Sequence, residues 1–231
     1  MDPFDALAHT WPAAETRRVG PWLARRGEGG GKRVSCATLD GPFDGTAALA
    51  AVMRDWGQPC LVMVRAGEDE LDAALAAEGY AVADPSLMLV GPAEAIAGGP
   101  APEEAIDCQA PLACMAALWQ EAGIGPGRRA VMDRARSPKA WLLGRSDQTL
   151  GAAAFVGLHG GVVMIHALAV LPACRRRGLG AILTRAAAAW GAERGASTLA
   201  LAVAGDNAPA RALYAGLGMR EAARYHYRID R

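Results

Sequence analysis

The stretch Ile165–Gly191, IHALAVLPACRRRGLGAILTRAAAAWG, decides how this 231-residue chain is read. An apolar run ends at Pro172, a turn of three arginines and two glycines follows, and Leu179, Ile182, Leu183, Ala186 and Trp190 then recur at helical spacing. The segment is a strand, a tight basic turn and an amphipathic helix. A helix start presents backbone N–H groups without intrahelical partners and about half a positive charge. Gly178 and Gly180 would let an anion approach those donors with no Cβ in the way, and Arg175, Arg176 and Arg177 could reach its outer oxygens. By itself the loop reads equally as a solvated charged turn, so its surroundings must decide.

Downstream, TLALAV (198–203) is a strand, NAPARALYAGLG (207–218) a helix and EAARYHYRI (221–229) a last strand. Upstream, AWLLG, LGAAAFVGL and GVVMIHALAV read as three strands in a meander. Before them, Leu112, Met115, Leu118, Trp119 and Ala122 mark a helix, and Pro126 opens a second. The order from 106 onward is ααβββαβαβ.

The stretch 91–105, GPAEAIAGGPAPEEA, holds three prolines and three glycines without apolar periodicity and reads as a linker. It separates a mixed α/β part, 1–90, from a domain at 106–231. In the first part VGPWLARRGEGGGKRVSCATL reads as two strands joined by a glycine-rich turn, followed by a helix over about 44–56, the strand CLVMVRAG, the helix DELDAALAAEG and an extended YAVADPSLMLV. GEGGGKR is not a nucleotide-triphosphatase loop: the first glycine of G-x-x-x-x-G-K falls on Arg26 and no Ser or Thr follows Lys32.

Laying LVMVRAGEDELDAALAAEGY from Leu61 on LALAVAGDNAPARALYAGLGM from Leu199 aligns Gly67 with Gly205 and Leu75 with Leu213. A one-residue gap brings Gly79 onto Gly218. In this alignment Asp69 lies opposite Asn207 and Ala76 opposite Tyr214, and nothing in the first half matches RRRGLG.

Composition bounds the function. Hydrophobic residues make up 52% and charged residues 21%, enough apolar content for a buried core. The 24 basic residues balance the 24 acidic ones, so no global field draws nucleic acid or a membrane surface, and an anion site must be local. Five scattered cysteines without C-x-x-C spacing point to neither a disulfide framework nor a zinc site. With no export signal or membrane span in view, the expected location is the cytoplasm.

The strand, the R-x-x-G-x-G turn at Arg175, Gly178 and Gly180, and the helix together resemble the acyl-CoA signature of the GNAT superfamily of N-acetyltransferases. NAPARALYAGLGM resembles that family's following motif. The resemblance covers about 106–231, and the first half resembles a worn GNAT-like half-domain without the CoA turn. It implies an α/β (α+β) fold with a mixed, mostly antiparallel sheet flanked by helices. It implies acetyl-CoA as cosubstrate, no metal, and direct attack by a primary amine of a small molecule or peptide.

Residue by residue, the resemblance places backbone groups of Leu168, Ala169 and Val170 beside pantetheine and the thioester. Arg175, Arg176, Arg177, Gly178, Leu179 and Gly180 fall at the pyrophosphate, and Asn207 at a CoA contact. Tyr214, seven residues after Asn207 and about 10 Å along one helix, takes the place of a tyrosine acid. His166, four residues before Val170, stands where family members frequently carry a glutamate base. Blander readings stand beside these: Tyr214 packed near Leu213 and Leu217, Asn207 as an N-cap before Pro209, and His166 hydrogen-bonded on its strand. Tyr225, His226 and Tyr227 either line an acceptor site or pack with period two. Direct attack leaves Cys174 without a nucleophilic role. The other function class is a catalytically inactive acyl-CoA-binding regulatory module.

Overall fold

The computed structural model describes residues 2–98, 104–146 and 149–230. The chain opens with helix α1 (Pro3–Thr10), started by the Asp2 side chain accepting from the Phe4 amide at 2.9 Å with Pro3 in the first turn. Its Phe4 and Leu7 are buried. Strands β1 (Glu15–Val19) and β2 (Trp22–Arg26) form a hairpin turning at Gly20 and Pro21, and β3 (Thr38–Leu39) pairs antiparallel with β2. The glycine-rich stretch between β2 and β3 is therefore not a tight turn; it is a longer loop that contains a 3-10 turn at Lys32–Val34. Helix α2 (Ala47–Asp55), strand β4 (Leu61–Arg65), helix α3 (Asp69–Ala77), strand β5 (Ala81–Pro92) and helix α4 (Ala93–Ile96) complete this half.

The linker expected at 91–105 is largely ordered structure. Gly91 pairs with Leu199, Pro92 ends β5, and Ala93 and Ile96 of α4 are buried. A Cβ on Gly91 would lie 2.6 Å from the Ile96 Cδ1, so this glycine serves close packing rather than flexibility. Residues 99–103 of the expected linker lie outside the described residues. Strand β6 (Ala105–Cys108) then begins, unforeseen from the sequence. The remaining elements follow the expected order: α5 (Ala113–Glu121), α6 (Pro126–Arg134), β7 (Lys139–Ser146), β8 (Thr149–His159), β9 (Val162–Val170), α7 (Leu179–Ala192), β10 (Thr198–Ala204), α8 (Ala208–Gly216) and β11 (Arg220–Ile229).

The order βββαβαβ occurs twice, as β1-β2-β3-α2-β4-α3-β5 and as β7-β8-β9-α7-β10-α8-β11. In each copy the third strand meets the fourth in parallel. Ala37 bridges Val62 in the first, and Val162–Ile165 pairs with Thr198–Leu201 in the second. The two copies exchange their last strands. The large sheet runs β4-β11-β5-β10-β9-β8-β7-β6, so β5 lies antiparallel on β10, and β11 lies between β5 and β4. The mixed, mostly antiparallel sheet is thus shared by both halves.

Helices cover both faces. One side packs α4, α7 and α8 through Leu179, Leu183, Trp190 and Tyr214; the other packs α1, α5 and α6 through Trp11, Trp119 and Phe155. A third cluster, with Trp22, Leu49 and Leu75, lies under α2 and α3. No helix among the described residues is long and apolar enough to cross a membrane.

Candidate active site

Strands β9 and β10 run together only as far as Ile165 and Leu201. Beyond that point β9 bends, because three steps from His166 to Ala169 face two steps from Phe155 to Ala153 on β8. The extra residue is Ala167, at φ 49°, whose carbonyl accepts a hydrogen bond from the Trp119 indole at 2.8 Å. A bulge of this kind turns a strand away from its neighbour. Leu168, Ala169 and Val170 stay attached to β8, with no strand pairing on their other edge among the described residues. The sheet opens here into a mouth lined by backbone.

The arginine turn closes one end of that mouth. Gly178, at φ 81°, is the N-cap of α7 without a side-chain cap, and its carbonyl accepts from the Ile182 amide at 3.0 Å. The Leu179, Gly180 and Ala181 amides precede that first intrahelical bond and point out of the helix start. A Cβ on Gly180 would lie 2.8 Å from the Leu213 Cδ2, so the first turn of α7 sits against α8. Arg175, Arg176 and Arg177 are exposed, with no ion pair or hydrogen bond from their guanidiniums among the described residues. Cys174 is buried over Gly151, where an added Cβ would come within 2.5 Å of its sulfur; it fills the turn.

Helix α8 brings two further residues to this end of the sheet. Asn207 caps the helix through a bond from the Ala210 amide at 3.2 Å, which leaves its side-chain NH2 free to donate. Tyr214 is buried in the same cluster as Cys174, Leu179 and Val203, and its hydroxyl has no hydrogen-bond partner among the described residues. Burial pushes its phenol up to about 12.

His166 is placed differently from the expected base. It is 4% exposed, stacked on Trp11 at 4.9 Å, and its Nε2 lies 2.8 Å from the Thr10 Oγ1. Thr10 donates its one hydroxyl proton to the Ala6 carbonyl at 2.7 Å, so the imidazole donates from Nε2. Burial, with the nearby Arg33 cation, depresses its pKa to about 3. An imidazole that already donates from Nε2, stacks on Trp11 and is buried is built into the core between β9 and α1, as a hydrogen-bonded strand histidine.

The aromatic residues of β11 also turn inward. The Tyr225 hydroxyl accepts from the Arg33 Nε at 3.1 Å, Tyr227 is buried, and His226 Nε2 meets the Asp72 carboxylate of α3 at 2.7 Å. These contacts join the two halves. Sequence reasoning missed Trp119, which holds the bulge, and Arg33, which donates to the carbonyl of Ala202, the first β10 residue beyond the paired stretch, at 3.4 Å. Neither carries a local motif.

The corresponding helix start in the first half is built differently. Before α2 the chain reads DGPFDG, with Asp40 and Asp44 where the second half has arginines. Thr46, the N-cap of α2, donates to the Glu78 carboxylate, so this helix start already has an anion beside it. Of possible metal ligands, Asp5, His9 and His159 lie within 4.8 Å of one another, at the end of β8 away from the arginine turn.

Residues 109–219 match the family described as Acetyltransferase (GNAT) family. The fold resembles that of a GCN5-related N-acetyltransferase from Kribbella flavida, with TM-score 0.67 and 18% identity over 97% of this chain and 92% of that one. It also resembles a functionally unknown conserved protein from Staphylococcus epidermidis, with TM-score 0.68 and 8% identity over 98% and 96%. A third similar structure is a tandem GNAT protein from the clavulanic acid biosynthesis pathway, with TM-score 0.63 and 15% identity over 100% and 88%. Among curated proteins none matches the chain in sequence.

Proposed function

Because residues 109–219 match the acetyltransferase (GNAT) family, we propose that the chain transfers an acetyl group from acetyl-CoA to the primary amine of a small molecule or peptide. The observation that carries this reading is the conjunction at one end of the sheet. The bulged end of β9, through Leu168 and Val170, the uncapped start of α7, through Leu179, and Tyr214 of α8 all pack into one cluster, and the three exposed arginines immediately precede that helix start.

These residues fit such a cosubstrate. The Leu179, Gly180 and Ala181 amides and the arginines form a cradle for a pyrophosphate, and Asn207 has a free amide donor at its edge. The unpaired edge at Leu168–Val170 offers backbone N–H and C=O groups to an amide-containing arm. When bound, acetyl-CoA supplies an activated acyl carbon and a thiol leaving group. At neutral pH Tyr214 keeps its proton, and with a pKa of about 12 its role is to donate a hydrogen bond toward charge developing on sulfur. With His166 enclosed, the attacking amine must arrive neutral or lose its proton to water in the mouth.

The test is release of free CoA thiol from acetyl-CoA across a panel of amines, amino acids and peptides. Release that depends on both the amine and Tyr214 is expected. Tight acetyl-CoA binding with no release above buffer for any acceptor would overturn transfer and leave an acyl-CoA-binding module.

A further inference from the structure

The first half keeps the same strand split without the cradle. Ala37 bridges Val62, the Met63 amide donates to the Ala37 carbonyl at 2.9 Å, and β3 and β4 pair no further. In that opening, roofed by α1, lies a cavity of about 350 Å³. Leu7, Trp11, Leu23 and Met63 give it apolar walls, and Arg25, Arg33 and Arg65 line it from three different segments.

These cations are poorly satisfied. Each guanidinium carries five N–H donors. Arg25 reaches only the Thr38 hydroxyl at 3.3 Å and the Cys36 carbonyl at 3.4 Å. Arg33 reaches the Tyr225 hydroxyl and the Ala202 carbonyl. Arg65 makes no hydrogen bond from its guanidinium among the described residues. Its Nε is enclosed without a partner, its plane lies 4.2 Å over Phe4, and its one carboxylate neighbour, Asp2, is 3.9 Å away. Glu15 is the one acid lining the cavity, and its oxygens face Arg17 and Arg26. Half-buried cations with so few hydrogen-bonded partners are costly, and a bound anion would relieve that cost.

We propose that this cavity is a binding site for a small organic carboxylate with an apolar body, in a half that has lost its own phosphate cradle. A carboxylate fits the bidentate geometry of guanidinium, and the volume lies at the small end of ligand pockets. A bare phosphate would leave the apolar walls wetted. A CoA pyrophosphate is disfavoured on this half by Asp40, Asp44 and the Glu78 carboxylate at the start of α2.

Isothermal titration of the full chain with benzoate, 3-phenylpropionate and octanoate tests the proposal, with 3-phenylpropanol and inorganic phosphate alongside. At least one carboxylate should bind below about 1 mM, at least tenfold more tightly than the alcohol and than phosphate. Arg65→Met should weaken that binding at least tenfold while melting within a few degrees of the parent. Arg25→Met serves as the second variant, because Arg33 is tied into the β10–β11 junction. No carboxylate binding, equal binding of the alcohol, preference for phosphate, or unchanged affinity in both arginine variants would overturn the site. The readout is binding without turnover, so a failure of acetyl transfer leaves it untouched and its own failure leaves acetyl transfer untouched.

Discussion

Leu75 holds in the first repeat the position that Tyr214 holds in the second. Helices α3 and α8 each span nine residues and end at a left-handed glycine, Gly79 at φ 89° and Gly218 at φ 83°. The residue after each glycine donates back to the matching carbonyl, Tyr80 to Leu75 and Met219 to Tyr214, both at 3.0 Å. The helices therefore align one residue away from the sequence overlay, which had set Ala76 against Tyr214. The same shift sets Glu68 against Asn207 as the helix cap. A leucine cannot donate a proton, and a carboxylate at the cap would repel a phosphate. The first repeat therefore lacks the tyrosine, the asparagine cap and the arginine turn together.

Tyr214→Phe should lower the rate of amine-dependent thiol release by roughly 10²-fold or more, the usual span for a proton donor. Acetyl-CoA affinity should stay within threefold. Among the described residues the tyrosine hydroxyl has no hydrogen-bond partner to lose, so the melting temperature should change little. Steady-state kinetics beside titration calorimetry separates the two effects, and an unchanged rate would remove Tyr214 from the chemistry.

Arg176→Glu with Arg177→Glu should weaken acetyl-CoA at least tenfold, and the remaining affinity should depend less on salt than in the parent. Both side chains are exposed and have no ion pair among the described residues, so the fold should be unaffected. Calorimetry at low and high ionic strength reads this out. Cys174→Ser is the control within the same turn. Its sulfur packs over Gly151, so the variant should lose stability yet keep turnover, as direct attack requires.

His166 should make the chain acid-sensitive. Its folded value, about 3, lies below the ordinary 6.5, so the unfolded chain takes the proton first. The stability tied to this group is complete above pH 6.5 and drains away as pH falls toward 3. Between pH 7 and pH 5 the loss is about 2 kcal/mol. Denaturant titrations at both pH values should show that slope in the parent and a flatter one in His166→Gln, whatever that variant's absolute stability.

Much of the second repeat was legible because its signals are local. Pro126, the Leu179–Trp190 stripe, the arginine turn and Asn207 before Pro209 each announce themselves within one element. What escaped depends on partners far away in sequence. The fate of His166 is set by Thr10 and Trp11, and the bulge at Ala167 by Trp119, none of which period or composition ties to β9. Helix α1 had its cues in Asp2 and Pro3, but its eight residues make only about two turns, too short a window for a firm periodic reading. Strand exchange was invisible for a different reason: β5 and β11 have the same alternation whichever neighbour they pair with.

That exchange makes a strong prediction about dividing the chain. A fragment of residues 104–231 would carry β10 without β5 and β11 without either of its neighbours. Tyr225 and Tyr227, each 2% exposed, would lose cover worth about 1.5–3 kcal/mol apiece. The fragment should therefore be unfolded or aggregated when made alone, and co-expression with residues 1–98 should restore a soluble complex that co-purifies. The junction also has an electrostatic tie. Asp72 of α3 accepts from the Arg228 Nε at 2.7 Å, a terminal Arg228 nitrogen at 3.0 Å and His226 at 2.7 Å. The Arg228 hydrogen bonds chiefly hold its carboxyl down to about 2. Because that folded value is below the ordinary one, the stability it adds is present above about pH 4 and lost as pH falls toward 2. Asp72→Asn should lower the melting temperature of the intact chain and weaken reassembly of the two fragments, with Arg228→Ala doing the same. A well-folded, monomeric 104–231 fragment would show that the second half does not need the strands it borrows.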